Sequence, residues 1–133
     1  MIDLIIEAAR ECKGTPFLHQ GRRPGQGLDC AGLVRYPAVK LGLIDPDDDY
    51  ISYGREPLPL KMKEQLESRL DPIRKLEKGC VIWFTVVKHP QHVAIYTGSG
   101  IIHAVNFGPK KVVEHGINSQ WTDRIAGLYR YRF

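Results

Sequence analysis

The apolar pattern of this chain changes period at Pro72, and few folds accommodate that change. Ahead of it, Ile2, Ile5, Ile6, Ala9 and Cys12 recur at helical spacing, with Asp3, Glu7, Arg10 and Glu11 on the other faces. Met62, Leu66 and Leu70 repeat the pattern in a helix predicted over Leu60–Leu70, which Pro72 should end. Beyond Pro72 come short β-branched and aromatic runs, Cys80–Val87, HVAIYTG, IIHAVN, KVVEH and AGLYRYRF, separated by Gly, Pro or Asn. Helices first and strands afterwards predict an α+β domain, its helices packed on an antiparallel sheet of about five or six strands. The 133 residues suit one domain spanning 1–133, with no internal repeat and no linker composition.

Between the first and third helices lies a loop rich in breakers, Gly14 to Gly27, too irregular in composition for regular structure. A second helix is predicted from Asp29, which suits the N-cap, with Ala31, Leu33 and Val34 on its apolar face. Pro37 should kink or end its first segment. The stretch Ile44–Pro59 reads as an irregular excursion whose Tyr50 and Tyr53 either line a cleft or pack.

Three cysteines without close spacing imply neither a disulfide framework nor a CxxC metal site, so at least one thiol is free. Cys12 lies on an apolar helical stripe and Cys80 at the start of a strand, where each reads as a small buried hydrophobe. Cys30 is different. It stands at the first turn of a helix, where unpaired N–H groups and the positive end of the macrodipole favour a thiolate and offer donors to an oxyanion. These arguments predict a depressed thiol pKa at Cys30, approached by a glycine-rich loop that admits substrate backbone.

Such a nucleophile needs a base, and the base needs a partner that orients it. His92 opens the strand HVAIYTG, immediately after the turn-like Lys88–Gln91, and His103 lies in the following strand of an evident hairpin. A turn on Thr97-Gly98 sets them directly opposite, whereas one on Ser99-Gly100 pairs His103 with Tyr96 and separates the two by ~13 Å along the strand. His115 and Trp121 read as packing or surface residues, and His89, beside Pro90, as exposed.

The blocks GTPFLHQG (14–21), DCAGLV (29–34) and HVAIYTGSGIIHA (92–104), in that order and spacing, resemble the NlpC-type cell-wall peptidases, papain-like cysteine hydrolases of peptidoglycan peptides. The resemblance implies Cys30 as nucleophile, His92 as general base and His103 as its orienting partner. It implies cleavage of the γ-D-glutamyl to diamino acid bond of stem peptides through an acyl-enzyme, without metal or organic cofactor. Asp29 inherits the role of meeting the stem's free amine, beside its N-cap role. Three departures stand out: Phe17 replaces a tyrosine whose hydroxyl serves the oxyanion site, Gln20-Gly21 replaces a common Gly-Gly, and Ala31 follows the cysteine. His19 is a candidate substitute for the lost hydroxyl.

The tail from Val112 resembles compact phage-encoded members of the family, which implies phage tail proteins as partners and carriage on a phage tail or gene-transfer particle. Synthesis in the cytoplasm is expected, because neither a signal-peptide pattern nor a membrane-spanning run is evident. The net charge of +4 lacks the basic stripe of a nucleic-acid site and suits an anionic wall. A monomer is expected. Rival readings are an amidase or acyltransferase on the same scaffold, a degraded tail-assembly or wall-binding module, and a zinc site on one cysteine and two histidines.

Overall fold

The structure, a computed structural model, describes residues 1–55, 58–86 and 89–133, with His89 and Pro90 described in the main chain alone. Its elements, in chain order, are α1 (Ile2–Glu11), β1 (Arg22–Arg23), β2 (Gly27–Leu28), α2 (Cys30–Lys40), α3 (Pro59–Arg69), β3 (Leu70–Ile73), β4 (Val81–Val86), β5 (His89–Tyr96), β6 (Gly100–Ala104), β7 (Val112–Gly116), α4 (Ser119–Thr122) and β8 (Ile125–Tyr131). The architecture is α+β. A six-stranded antiparallel sheet of order β3-β8-β4-β5-β6-β7 is accompanied by the two-stranded ribbon β1-β2.

Strand alternation sorts the core onto two sheet faces. Val81, Trp83, Val93, Ile95, Ile102, Tyr129 and Tyr131 pack with Ile5, Ile6 and Ala9 of α1 and Leu33, Val34 and Ala38 of α2. Ile82, Phe84, Ala94 and Ile101 form the opposite face, covered by Trp121, Ile125 and Leu128. Trp83 and Phe84 therefore enter different clusters, as their alternation requires. Cys12 and Cys80 are buried, and burial raises both thiol pKa values, that of Cys12 to about 12.

Four local expectations are corrected. The helix α2 runs through Pro37 instead of ending there. Its buried stripe Leu33, Val34, Pro37 and Ala38 stays continuous only if the turn continues, and this burial outweighs the one lost backbone bond. The glycine-rich loop does contain regular structure, the ribbon β1-β2, whose reversal Gly25 permits at φ +82. Pro72 does more than close α3: it sits in β3, an outer strand of the sheet, where a residue without an N–H is tolerated. The turn expected over Lys88–Gln91 lies partly outside the described residues, and His89–Gln91 belong to β5, so His92 is inside that strand and does not open it. The reading of His89 as exposed also lies outside the described side chains.

Candidate active site

Asp29 caps α2: its Oδ1 accepts from the Gly32 main-chain N–H at 2.8 Å and from Arg22 Nη1 at 2.9 Å. Its Oδ2 accepts from the Gln20 main-chain N–H at 2.9 Å and from the Tyr53 hydroxyl. The carboxylate is buried and its oxygens are occupied within the fold. Asp29 is thus the hub that joins the loop, α2 and the 45–55 excursion, and it presents no free oxygen to an amine in this arrangement. Gln20 lies at φ +60, where glycine would be unstrained. Its side-chain amide donates to the Ile51 and Tyr53 carbonyls, which gives the departure from Gly-Gly a structural use.

Two glycines here serve close packing. A Cβ at Gly32 would lie 2.1 Å from the Gly21 carbonyl oxygen, and one at Gly21 would lie 2.5 Å from that of Gly27. The loop can lie against the first turn of α2 only because those side chains are absent.

The cap sets Cys30 on the wall of a cleft of about 400 Å³, shared with Phe17, His19, Tyr50, Tyr53 and His92. The cleft runs between α2, the 45–55 excursion and β5, so both tyrosines line it. His19 stands edge-on to Tyr53 with ring centroids 5.6 Å apart. The β5-β6 ladder stops at Ile95–Ile102, which leaves the Val93 main chain free of β6 to hydrogen-bond the Cys30 sulfur, as does that of Ala31.

These bonds and Arg22 pull the thiol pKa down, but burial, followed by the Asp29 charge, pushes it up to about 12. The depressed pKa expected from the helix start is therefore overturned. Burial lowers His92 to about 4. Near neutral pH, Cys30 is thus a neutral thiol and His92 a neutral imidazole, both lining the cleft.

The hairpin takes neither register considered from the sequence. Ile95 pairs with Ile102 and Tyr96 with Ile101, so the turn falls on Gly98-Ser99, with Gly98 at φ +101. Continuing that register puts His103 opposite Ala94 and makes His92 its diagonal neighbour on the same face, within reach of a long side chain. His92 Nε2 and His103 Nδ1 are 2.8 Å apart.

A third histidine, read from the sequence as packing or surface, continues the chain. His103 Nε2 lies 2.8 Å from His115 Nε2, and His115 Nδ1 lies 2.8 Å from the Gly116 carbonyl oxygen. His103 is 0% exposed, and burial, then the neighbouring His92 and His115, lowers its pKa to about 3. The Trp121 ring packs on both His103 and His115, at centroid distances of 5.1 and 5.5 Å. In β6-β7, His103 pairs with Val113 and Ile101 with His115, the same diagonal relation as in β5-β6. Period-two spacing of Val113 and His115 could have revealed this shared face, had the β6-β7 register been known.

The zinc alternative does not fit these side chains. His103 commits both ring nitrogens to other histidines, and among the described residues no group of three or more His, Cys, Asp or Glu is arranged to hold a metal.

Residues 14–130, which include this cysteine and these histidines, match a sequence profile of the NlpC/P60 family. The chain belongs to the NlpC/P60 family. It is 24% identical over 132 residues to gamma-DL-glutamyl hydrolase of Bacillus subtilis (strain 168), an alignment covering 96% of this chain and 29% of that protein. Among solved structures it resembles an NlpC/P60 family protein from Bacillus cereus ATCC 10987, with TM-score 0.71, 22% identity, and coverage of 98% of this chain and 40% of the other. It also resembles RipD of Mycobacterium tuberculosis, described as a non-catalytic NlpC/p60 domain protein adapted to peptidoglycan binding, with TM-score 0.61, 19% identity, and coverage of 97% and 95%. At these identities the structural likeness establishes the papain-like NlpC/P60 fold. Family members are generally cell-wall hydrolases and some are non-catalytic, so activity has to be argued from the site.

Proposed function

We propose that this chain is a cysteine peptidase that hydrolyses peptidoglycan stem peptides, with Cys30 as nucleophile, His92 as general base and His103 as the residue that orients it. The observation that carries this reading is the 2.8 Å contact between His92 Nε2 and His103 Nδ1, which leaves the His92 Nδ1 for the thiol that lines the same cleft.

In the forward step the Cys30 sulfur attacks the peptide carbonyl carbon while its proton passes to His92 Nδ1. Near the start of α2 the Gly32 N–H is taken by Asp29 Oδ1, that of Leu33 by the Asp29 carbonyl and that of Ala31 by the Cys30 sulfur, which makes the Cys30 main-chain N–H the donor proposed for the oxyanion. Collapse of the tetrahedral intermediate breaks the C–N bond. His92 returns its proton to the departing amine, leaving an acyl-thioester at Cys30. Water, deprotonated by His92, then releases the acid and restores the thiol.

The γ-D-glutamyl to diamino acid bond is the proposed scissile bond. It is supported by the resemblance of the three sequence blocks and accords with the name of the B. subtilis relative. Carriage on a phage tail rests on the resemblance of the 112–133 segment alone. That segment has a second explanation in the fold: β8 lies between β3 and β4, and Tyr129 and Tyr131 are buried there. Its apolar residues are those of the edge strand β7 and the interior strand β8.

The experiment is digestion of defined stem peptides, monitored by mass spectrometry, with wild type and Cys30→Ala. Cleavage at the γ-D-glutamyl bond by wild type alone supports the proposal. A second reading, a wall-binding module without turnover, is favoured by the raised thiol pKa and by Phe17 in place of tyrosine. It predicts retention on insoluble peptidoglycan, equal for both proteins, with no cleavage. An acyltransferase would be distinguished by transfer to an added amine acceptor in place of water, and an amidase by hydrolysis of an amide other than the γ-D-glutamyl bond.

A further inference from the structure

We infer that His115 is a positioning residue, which fixes the proton arrangement of the whole histidine chain and thereby leaves His92 Nδ1 as the basic nitrogen facing the cleft. The inference rests on the reading of His92 as general base and extends it to a strand outside the expected catalytic set.

His115 forms the outer end of the histidine chain, on the edge strand β7. A carbonyl oxygen only accepts, so at 2.8 Å from the Gly116 oxygen the His115 Nδ1 must carry a hydrogen. When His115 carries that one ring hydrogen alone, its Nε2 keeps a lone pair. The 2.8 Å contact between that atom and His103 Nε2 holds one hydrogen, which must come from His103. His103 is therefore a lone-pair acceptor at Nδ1, and the 2.8 Å contact there takes its hydrogen from His92 Nε2. One carbonyl thus determines three ring tautomers in series.

The reverse arrangement would set the His115 Nδ1 lone pair against the carbonyl oxygen. It would also protonate His92 at Nδ1, the nitrogen required as a base. A neutral histidine behind the base cannot fix the tautomer by charge, as a carboxylate would, because His103 offers a donor on one side and an acceptor on the other whichever way it is protonated. Something beyond His103 has to break that symmetry. His103 is 0% exposed with both ring nitrogens on other histidines, whereas His115 is bonded to the main chain at the edge strand β7.

The local sequence supports the arrangement. Gly100 faces Gly116 across β6-β7, and a Cβ at Gly100 would lie 2.2 Å from the His115 carbonyl oxygen. The close approach of the strands that brings His115 onto His103 therefore requires glycine at 100. The Trp121 ring closes the remaining side.

The test pairs His115→Phe, which preserves the ring on Trp121 but removes both nitrogens, with His115→Gln, whose amide offers an acceptor to His103 and a donor to the Gly116 carbonyl. Nitrogen-15 NMR of the histidine rings, recorded without substrate, should find His92 protonated at Nε2 in wild type and in His115→Gln, and as a mixture of tautomers in His115→Phe. With stem peptide, kcat should fall roughly ten- to a hundredfold in His115→Phe at little-changed KM and recover in His115→Gln, by analogy with the loss when outer partners of metal-ligating histidines are removed. A wild-type His92 protonated at Nδ1, or an unchanged tautomer and kcat in His115→Phe, would overturn the inference. Because the NMR readout needs no turnover, a protein inactive on every stem peptide would refute the peptidase reading while the tautomer result still decided the role of His115.

Discussion

Arg22 Nη1 donates to Asp29 Oδ1 at 2.9 Å inside a wall that also holds Asp49 and Tyr53. The side chains of the pair are 15% and 6% exposed, so this is a largely buried ion pair whose guanidinium also reaches Asp49 through Nε at 3.0 Å. Removing one partner of such a pair leaves a buried charge uncompensated, which costs about 3–5 kcal/mol. We expect Arg22→Met to lower the free energy of unfolding by that order, and Tyr53→Phe to lower it by only about 1 kcal/mol, the net value of one hydrogen bond. Urea denaturation measures both. A loss below about 0.5 kcal/mol in Arg22→Met, the range of ordinary surface substitutions, would show that Asp29 does not depend on this partner.

Acid should destabilise the fold through the histidine chain. Burial lowers His92 to about 4 and His103 to about 3, while unfolded imidazoles titrate near 6.5. Between these values the unfolded state binds more protons than the folded one, so the stability from keeping both rings neutral is full above about pH 6.5. It is lost progressively as pH falls toward 4 and then 3. Thermal midpoints should therefore drop between pH 7.5 and 5.0, above the range in which most carboxylates titrate, and the drop should shrink in His103→Asn. A midpoint constant over that interval would contradict the buried neutral pair.

Gly32→Ala should be costly although alanine is the better helix former. Its methyl would stand 2.1 Å from the Gly21 carbonyl oxygen, and the rigid backbone on both sides leaves no flexible group to yield. We expect about 2 kcal/mol of destabilisation, within the usual range for overpacking, and a larger fractional loss of turnover than of stem-peptide binding, since the start of α2 carries Cys30. Stability and turnover equal to wild type would mean that loop and helix can separate without consequence.

Periodicity revealed α1, α3 and most of the strands because each buries one face against a single partner. Pro37 was misleading because its local cost is small beside the burial of Leu33, Val34 and Ala38, a tertiary quantity. The ribbon β1-β2, with two residues in each strand, is below what alternation can reveal, and α4, at four residues, is below a helical period count. At the site, the motif blocks point to Cys30, His92 and His103, and strand pairing supplies the meeting of the two histidines. His115 could not be recognised from spacing alone, since its contact with His103 depends on the register of β6 against β7, which Gly100 and Gly116 set together. The thiol pKa was misjudged because position at a helix start is local, whereas desolvation by the cleft wall and the Asp29 charge arise from the whole fold.

The proposed peptidase rests on a covalent intermediate at one of three cysteines, and its direct measurement is mass spectrometry of the acid-quenched enzyme during turnover of a stem peptide. The account predicts a mass increase equal to the acyl portion of the substrate, mapped to the peptide containing Cys30, and absent in Cys30→Ala. Hydrolysis that persists in Cys30→Ala, or an adduct mapped to Cys12 or Cys80, would contradict it.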